Sequence, residues 1–387
     1  MRWTYAIFAF LVAFTTSATD HVDVRVFSNR SFTQAQWRTA SGYYAWVAYT
    51  SDQQVIDTVA ISTPRLKRLM DVRLSGGELV LNRETRPLGK YAHLRVVPLG
   101  DSAHFQITAA GRTRSYEGEI WFKVSGRELQ LINHIPIPQY LAGVVQSEAG
   151  HFREIEFFKA QAVLAHTWLL ANLNKHSNEG YNVKDDVTSQ AYYGRADNIN
   201  AALIRQAVNE VGDSVVVGPD GEVILGVFHA NSGGQTANSQ DAWSRPISYL
   251  QSISDTFSMR GSQAFWEVQV PKEEFVSYVA SQLGVSASDT NFRVALLDYQ
   301  PREREGVFEY NGRRLKWKDV RNRFRLRSAW FSVTDMGQTV LLKGRGFGHG
   351  VGMSQEGANI MAQDGYEWKS ILRHYFPGID LVSSSTL

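Results

Sequence analysis

The 387-residue chain contains no cysteine. That excludes disulfides, thiolate-bound zinc, iron–sulfur clusters and a cysteine nucleophile, together with any lipid anchor built on a cysteine. An excess of one charge is missing too. Forty Lys and Arg stand against 38 Asp and Glu, for a net charge of +2, short of the basic bias of a nucleic-acid binder. No nucleic-acid partner is expected. No G-x-S-x-G elbow marks a serine nucleophile, no G-K-[ST] marks a phosphate loop, and no H-E-x-x-H or H-x-x-x-H pair marks a metal site. His151, His166, His176, His229 and His349 are scattered. No metal or cofactor is expected. Long apolar runs are lacking beyond residue 18, so no later segment reads as a membrane span.

Residues 1–18 read as a signal peptide: Arg2 supplies the positive start, Tyr5 to Phe14 the apolar stretch, and Thr16-Ser17-Ala18 the small residues for cleavage. An uncleaved anchor is the alternative, and the only way the chain would touch a membrane. The rest is expected to work outside the cytoplasm, secreted or periplasmic.

The composition, 43% hydrophobic and 20% charged, is that of a globular protein. Residues 19–115 read as a β-rich domain, with strands over Val22–Phe27, Tyr43–Tyr49 and Leu94–Leu99 and a further strand, Gly118–Val124, beyond it. The character changes at Ile135. Pro138 can open a helix through Leu141 and Val145 to Glu148. A second helix is expected from Ile155 to Lys175, since Phe158, Ala162, Ala165 and Leu169 recur at helical spacing. A polar, aromatic loop covers Tyr181–Gly194, and a helix from Asn200 stops at Gly212. Val215–Val217 and Val223–Phe228 read as a hairpin around Pro219-Asp220-Gly221. A helix is expected over 271–283, a strand over 339–343, and a last helix from Ser354 to Gln363. The expected class is α+β.

Three strings carry candidate chemistry. In YLAGVVQSEAG, Glu148 ends an apolar helix face, where burial would raise its pKa toward that of a general acid; a helix-end surface carboxylate is the other reading. Lys159 and His166 lie seven apart, on one face of the next helix. In HANSGGQTANSQDAW, His229, Ser232, Gly233 and Trp243 offer polar and aromatic groups, while His229 also reads as a core histidine and Trp243 as packing. In GRGFGHGVGMSQEGA, His349 sits among five glycines, and Ser354 and Gln355 open a helix whose free N–H groups suit polar ligands; a purely structural turn with Ser354 as N-cap is the alternative. The G-x-G-x-x-G-like pattern here lacks the βαβ context of a dinucleotide site. A basic stretch, Arg313–Arg327, holds eight Lys and Arg and reads as a solvated face, or else as an attractor of an anionic polymer.

Taken together, YLAGVVQSEAG, KAQAVLAHTW, DDVTSQAYYG, FHANSGGQT and GRGFGHGVGMSQEGANIMAQDGY resemble, in the same order, the blocks of the stage II sporulation protein D family, which includes amidase-enhancer proteins. The resemblance runs from about Tyr116 to Gly378 and implies a catalytic domain over 116–380. It implies lytic transglycosylation of peptidoglycan glycan strands freed of stem peptides, with the family's catalytic glutamate falling on Glu148 and its basic pair on Lys159 and His166. Sugar-binding roles are then expected for Gln190, Tyr192, His229, Ser232, Gly233, Trp243, His349, Ser354 and Gln355. The runner-up is a non-catalytic activator of a cell-wall amidase, and such an amidase is an expected partner under either reading. The chain departs from the family in two places. Ala165-His166-Thr167 replaces a usual Ala-Arg-x-Thr, and Ala149-Gly150 follows the glutamate where a proline usually stands close by. The cysteine-containing zinc site of some members has no counterpart.

Overall fold

The computed structural model describes residues 20–66, 69–243 and 245–387; the expected signal peptide lies outside them. The fold is α+β.

The N-terminal strands alternate apolar and polar residues and bury one face, as in His21–Val26 with Val22, Val24 and Val26 inward. They form two sheets. One has seven strands, in the order Val183–Lys184, His21–Val26, Glu128–Pro136, Glu119–Ser125, His93–Pro98, Tyr44–Tyr49 and Val55–Ser62. The other has six, running from Arg112–Glu117 to Arg86–Tyr91. Aromatics fill the space between the sheets: Trp37 of the six-stranded sheet meets Trp46 of the seven-stranded one edge-on at 5.2 Å, and Phe122, in the same sheet as Trp46, stacks on it at 5.5 Å. Position 115, the expected domain boundary, falls within strand Arg112–Glu117, and strands after it pair with strands before it.

The helices are α1 (Ile137–Ala149), α2 (Ile155–Asn172), α3 (Ala201–Val211), α4 (Ser239–Ala242), α5 (Lys272–Leu283), α6 (Thr290–Leu297), α7 (Trp317–Phe324), α8 (Gln355–Gln363) and α9 (Trp368–Tyr375). α2 is apolar on nearly every side because α1, α3, α8 and α9 all pack around it. These helices share one core with the β-sheets.

The strands Phe265–Pro271, Thr339–Arg345 and Phe331–Asp335 form a separate sheet. With α5, α6, α7 and the hairpin Val307–Tyr310/Arg313–Lys316 it buries a second core around Phe275, Trp317 and Phe331. The hairpin expected around Pro219-Asp220-Gly221 is reduced to one antiparallel bridge, Val217–Val223, with Ile224 N–H donating to Val216 O at 3.2 Å. The turn is present, but Ser214–Val217 pairs with Asp380–Ser383, and Phe228–His229 pairs in parallel with Met353–Ser354. These partners come from the far C-terminal part and offer more ladder than the short local return. Among the described residues no helix is long and apolar enough to cross a membrane.

Candidate functional site

Glu148 stands in the last turn of α1. Three successive side chains there hold the loop that follows Ser189. Gln146 Oε1 accepts the N–H groups of Asp197 and Asn198, Ser147 Oγ accepts that of Tyr193, and Glu148 Oε1 accepts that of Ala191 at 2.8 Å. Successive helix residues point about 100° apart, so the loop wraps the helix end. Gly143 lets it come close: a Cβ there would lie 2.4 Å from Gly194 O and 2.6 Å from the Tyr192 ring.

The Glu148 carboxyl is half-buried, and burial pushes its pKa above the ordinary 4.5 against the opposing Ala191 N–H. Among the described residues neither a carboxylate nor a cation shapes the shift. The C-terminal end of the α1 dipole works in the same direction as burial. Tyr140 lies close enough to feel the carboxylate and donates to Gln190 Oε1 at 3.2 Å. Gln190 in turn donates to Ala165 O on α2. Gln355, the first residue of α8, shares its amide N–H between Glu148 O at 3.5 Å and Gln161 Oε1 at 3.4 Å. Gln161 is fully buried, and among the described residues its amide nitrogen has no partner. Glu148, Tyr140, Gln161, Gln190 and Gln355 thus form one cluster.

A second centre lies beyond α8. Gly346, Gly348, Gly350 and Gly352 all have positive φ, between 72° and 110°. A Cβ on them would meet Asn231 O, His229 Cβ, the Arg304 guanidinium and Val227 O at 2.5, 2.9, 2.1 and 2.2 Å. The glycines therefore cradle the chain's own 227–233 segment and Arg304. His229 donates Nδ1–H to Val351 O at 3.1 Å, and among the described residues its buried Nε2 has no partner. His349 lies 5.6 Å from it, ring to ring, and Trp243 lies 5.6 Å from His349. Burial, then the charge of Arg304, brings the His349 pKa down to about 4, so its ring is neutral at pH 7. Trp243 and His349 line a cavity of about 310 Å³ with Arg304, Lys318 and Arg321.

Residues 125–217, which contain Glu148 and its loop, match the family model SpoIID, stage II sporulation protein. The chain carries a SpoIID-family domain. It is 29% identical over 262 residues to the stage II sporulation protein D of Bacillus amyloliquefaciens, covering 65% of this chain and 75% of that one. Against the protein of the same name from Bacillus subtilis (strain 168) it is 28% identical over 269 residues, 65% and 76% of the two chains. An amidase enhancer of the same strain is 25% identical over 298 residues, 63% of this chain and 40% of the enhancer. These matches support a cell-wall related role.

Several expected sugar contacts of the SpoIID-family domain need correction. Lys159 and His166 do share a face of α2, but it looks onto α3 and the strand Ser214–Val217. The Lys159 ammonium sits between Glu156 and Glu210 at 2.6 and 2.7 Å, and buried His166 has Nδ1 3.3 Å from Ser214 O. The face toward Glu148 carries Gln161 and Ala165 instead. Tyr192 is fully buried between Tyr116 and Tyr140 and donates to Asn133 Oδ1, so it cannot stack on a sugar. Its neighbour Tyr193 is 50% exposed, with the Arg114 guanidinium 4.8 Å over its ring. Ser232 is sealed by Asp255 and Ser258, Gly233 by the backbone at Arg345, and Ser354 by its N-cap bond from Gly357 N–H. Of the basic stretch, Lys318 and Arg321 turn inward to the cavity. Sequence reasoning missed Gln161, Tyr193, Arg304 and Arg321. Only the charge density of 313–327 hinted at Arg321.

Proposed function

We propose that this protein is a lytic transglycosylase that cleaves peptidoglycan glycan strands freed of stem peptides, outside the cytoplasm, with Glu148 as its single acid/base. The observation that carries the reading is the lone Glu148 carboxyl. Burial favours its protonated form, one N–H steadies its charged form, and among the described residues no second carboxylate influences it. Hydrolysis of a glycosidic bond ordinarily needs two carboxylates. A lytic transglycosylase needs one.

Glu148 gives its proton to the glycosidic oxygen between N-acetylmuramic acid and N-acetylglucosamine, and the bond from that oxygen to the muramic anomeric carbon breaks. The carboxylate, steadied by the Ala191 N–H, then takes the proton of the same sugar's 6-hydroxyl. The 6-oxygen closes on the anomeric carbon as a 1,6-anhydro ring, and Glu148 ends protonated, as it began. No water is consumed.

Glu148→Gln keeps the shape and removes the proton shuttle. Release of soluble fragments from stripped peptidoglycan should fall about 10²–10⁴-fold; a variant as fast as the parent would overturn the reading. The similarity to an amidase enhancer favours a second reading, in which the chain binds wall and activates an amidase. In that case Glu148→Gln would leave amidase stimulation intact and no glycan bond would be cut by either form.

A further inference from the structure

An anionic sugar needs a cation, and Lys159 is engaged by two carboxylates. The cavity beyond α8 holds cations that are not so engaged. Arg304, Lys318 and Arg321 line it, and among the described residues none of them is ion-paired. Their hydrogen bonds go to backbone carbonyls. Arg304 Nη1 donates to Ser232 O and Gln235 O, both at 3.1 Å, Lys318 Nζ to Ala242 O at 3.3 Å, and Arg321 Nε to Leu326 O at 3.3 Å. Among the described residues the terminal nitrogens of Arg321 have no hydrogen-bond partner.

Two guanidinium groups facing one partly desolvated space repel each other. Burial and Arg321 together bring the Arg304 pKa down to about 10, and Asp241 only partly offsets this. The wall also carries Asp241, Glu305 and Asp319. Asp241 accepts from Asn238, and Glu305 accepts from Tyr299 Oη. Among the described residues none of these three carboxylates forms an ion pair with Arg304, Lys318 or Arg321. Trp243, half-exposed in the same wall, offers a flat ring for the apolar face of a sugar.

We propose that this cavity is a subsite for a carboxylate-bearing amino sugar of the strand, with Arg321 and Lys318 binding the carboxylate and Trp243 stacking on the ring. Arg304 holds the glycine turn in place beneath them. A guanidinium–carboxylate pair is a charge-assisted hydrogen bond of fixed geometry. The inference rests on the glycan reading above, and names where on the protein the acidic sugar is distinguished from its neutral counterpart.

The test is binding, measured by calorimetry on the whole protein. The probes are the disaccharide of N-acetylglucosamine and N-acetylmuramic acid, and chitobiose, which lacks the lactyl carboxylate. The parent should prefer the acidic disaccharide about tenfold or more. In Arg321→Gln the preference should fall below about twofold with chitobiose affinity unchanged, while Arg321→Lys should keep part of it. Absence of the preference in the parent, its survival in Arg321→Gln, or equal loss for both sugars would overturn the proposal. Displacement of the disaccharide by inorganic phosphate at equal concentration would also overturn it, since that marks a general anion site. Cleavage is not read here, so failure of this subsite and failure of the Glu148 chemistry remain distinguishable.

Discussion

Glu148 Oε1 accepts the backbone N–H of Ala191 at 2.8 Å, and this bond opposes the effect of the surrounding burial on the same carboxyl. Burial favours the acid and the N–H favours its conjugate base. A group that must first give a proton and then take one back benefits from both, because neither protonation state is made inaccessible.

The raised pKa of Glu148 sets a pH dependence. Its acid form persists above pH 4.5, the ordinary value, so activity should be retained into that range and fall as pH climbs through the raised value. Stability should follow the same direction. A carboxyl whose pKa is raised on folding favours the folded state at low pH, and that contribution is lost as pH rises. Glu148→Gln lacks the titration. Urea unfolding of both proteins should show the variant gaining on the parent from pH 4.5 upward. A gap that stays constant with pH would contradict this.

Gly143→Ala tests the close approach of loop and helix. Its Cβ would press on Gly194 O and the Tyr192 ring, and overpacking of this kind costs about 1–3 kcal/mol. Because the pressed loop carries the Ala191 N–H, activity should fall further than the loss of stability explains. A variant that is destabilised yet fully active at low temperature would show that the loop need not be fixed.

Lys159→Ala separates a structural cation from a substrate contact. The ammonium links Glu156 on α2 to Glu210 on α3, so its loss should lower unfolding free energy by about 1 kcal/mol, as for a partly exposed pair. It should leave the ratio of affinities for acidic and neutral disaccharides unchanged. A selective loss of the acidic one would return Lys159 to the binding surface.

Much of this arrangement was legible in the sequence where the signal is local. The helical spacing of Phe158, Ala162, Ala165 and Leu169 predicts α2, Gly212 marks the end of α3, and the apolar run before Glu148 places that carboxyl at a helix end. The family blocks lead to the SpoIID family, as the family match and the named relatives bear out. What was not legible depends on contacts distant along the chain. Nothing near Val215 announces that its partner is Val382. Periodicity places Lys159 and His166 on one face of α2 without saying that the face looks onto α3 and the strand Ser214–Val217. In the aperiodic loop after Ser189, adjacent tyrosines carry no sign that Tyr192 turns in and Tyr193 out. Arg304 gains its place from the fold of the second core, which no string near it indicates.

The most direct test of the central claim is the chemistry of the new chain ends. The protein is incubated with peptidoglycan freed of stem peptides by an amidase, with Glu148→Gln in parallel, and the products are read by mass spectrometry. The account predicts 1,6-anhydro-muramic ends from the parent and none from the variant. Reducing muramic ends, or anhydro ends that persist in Glu148→Gln, would contradict it.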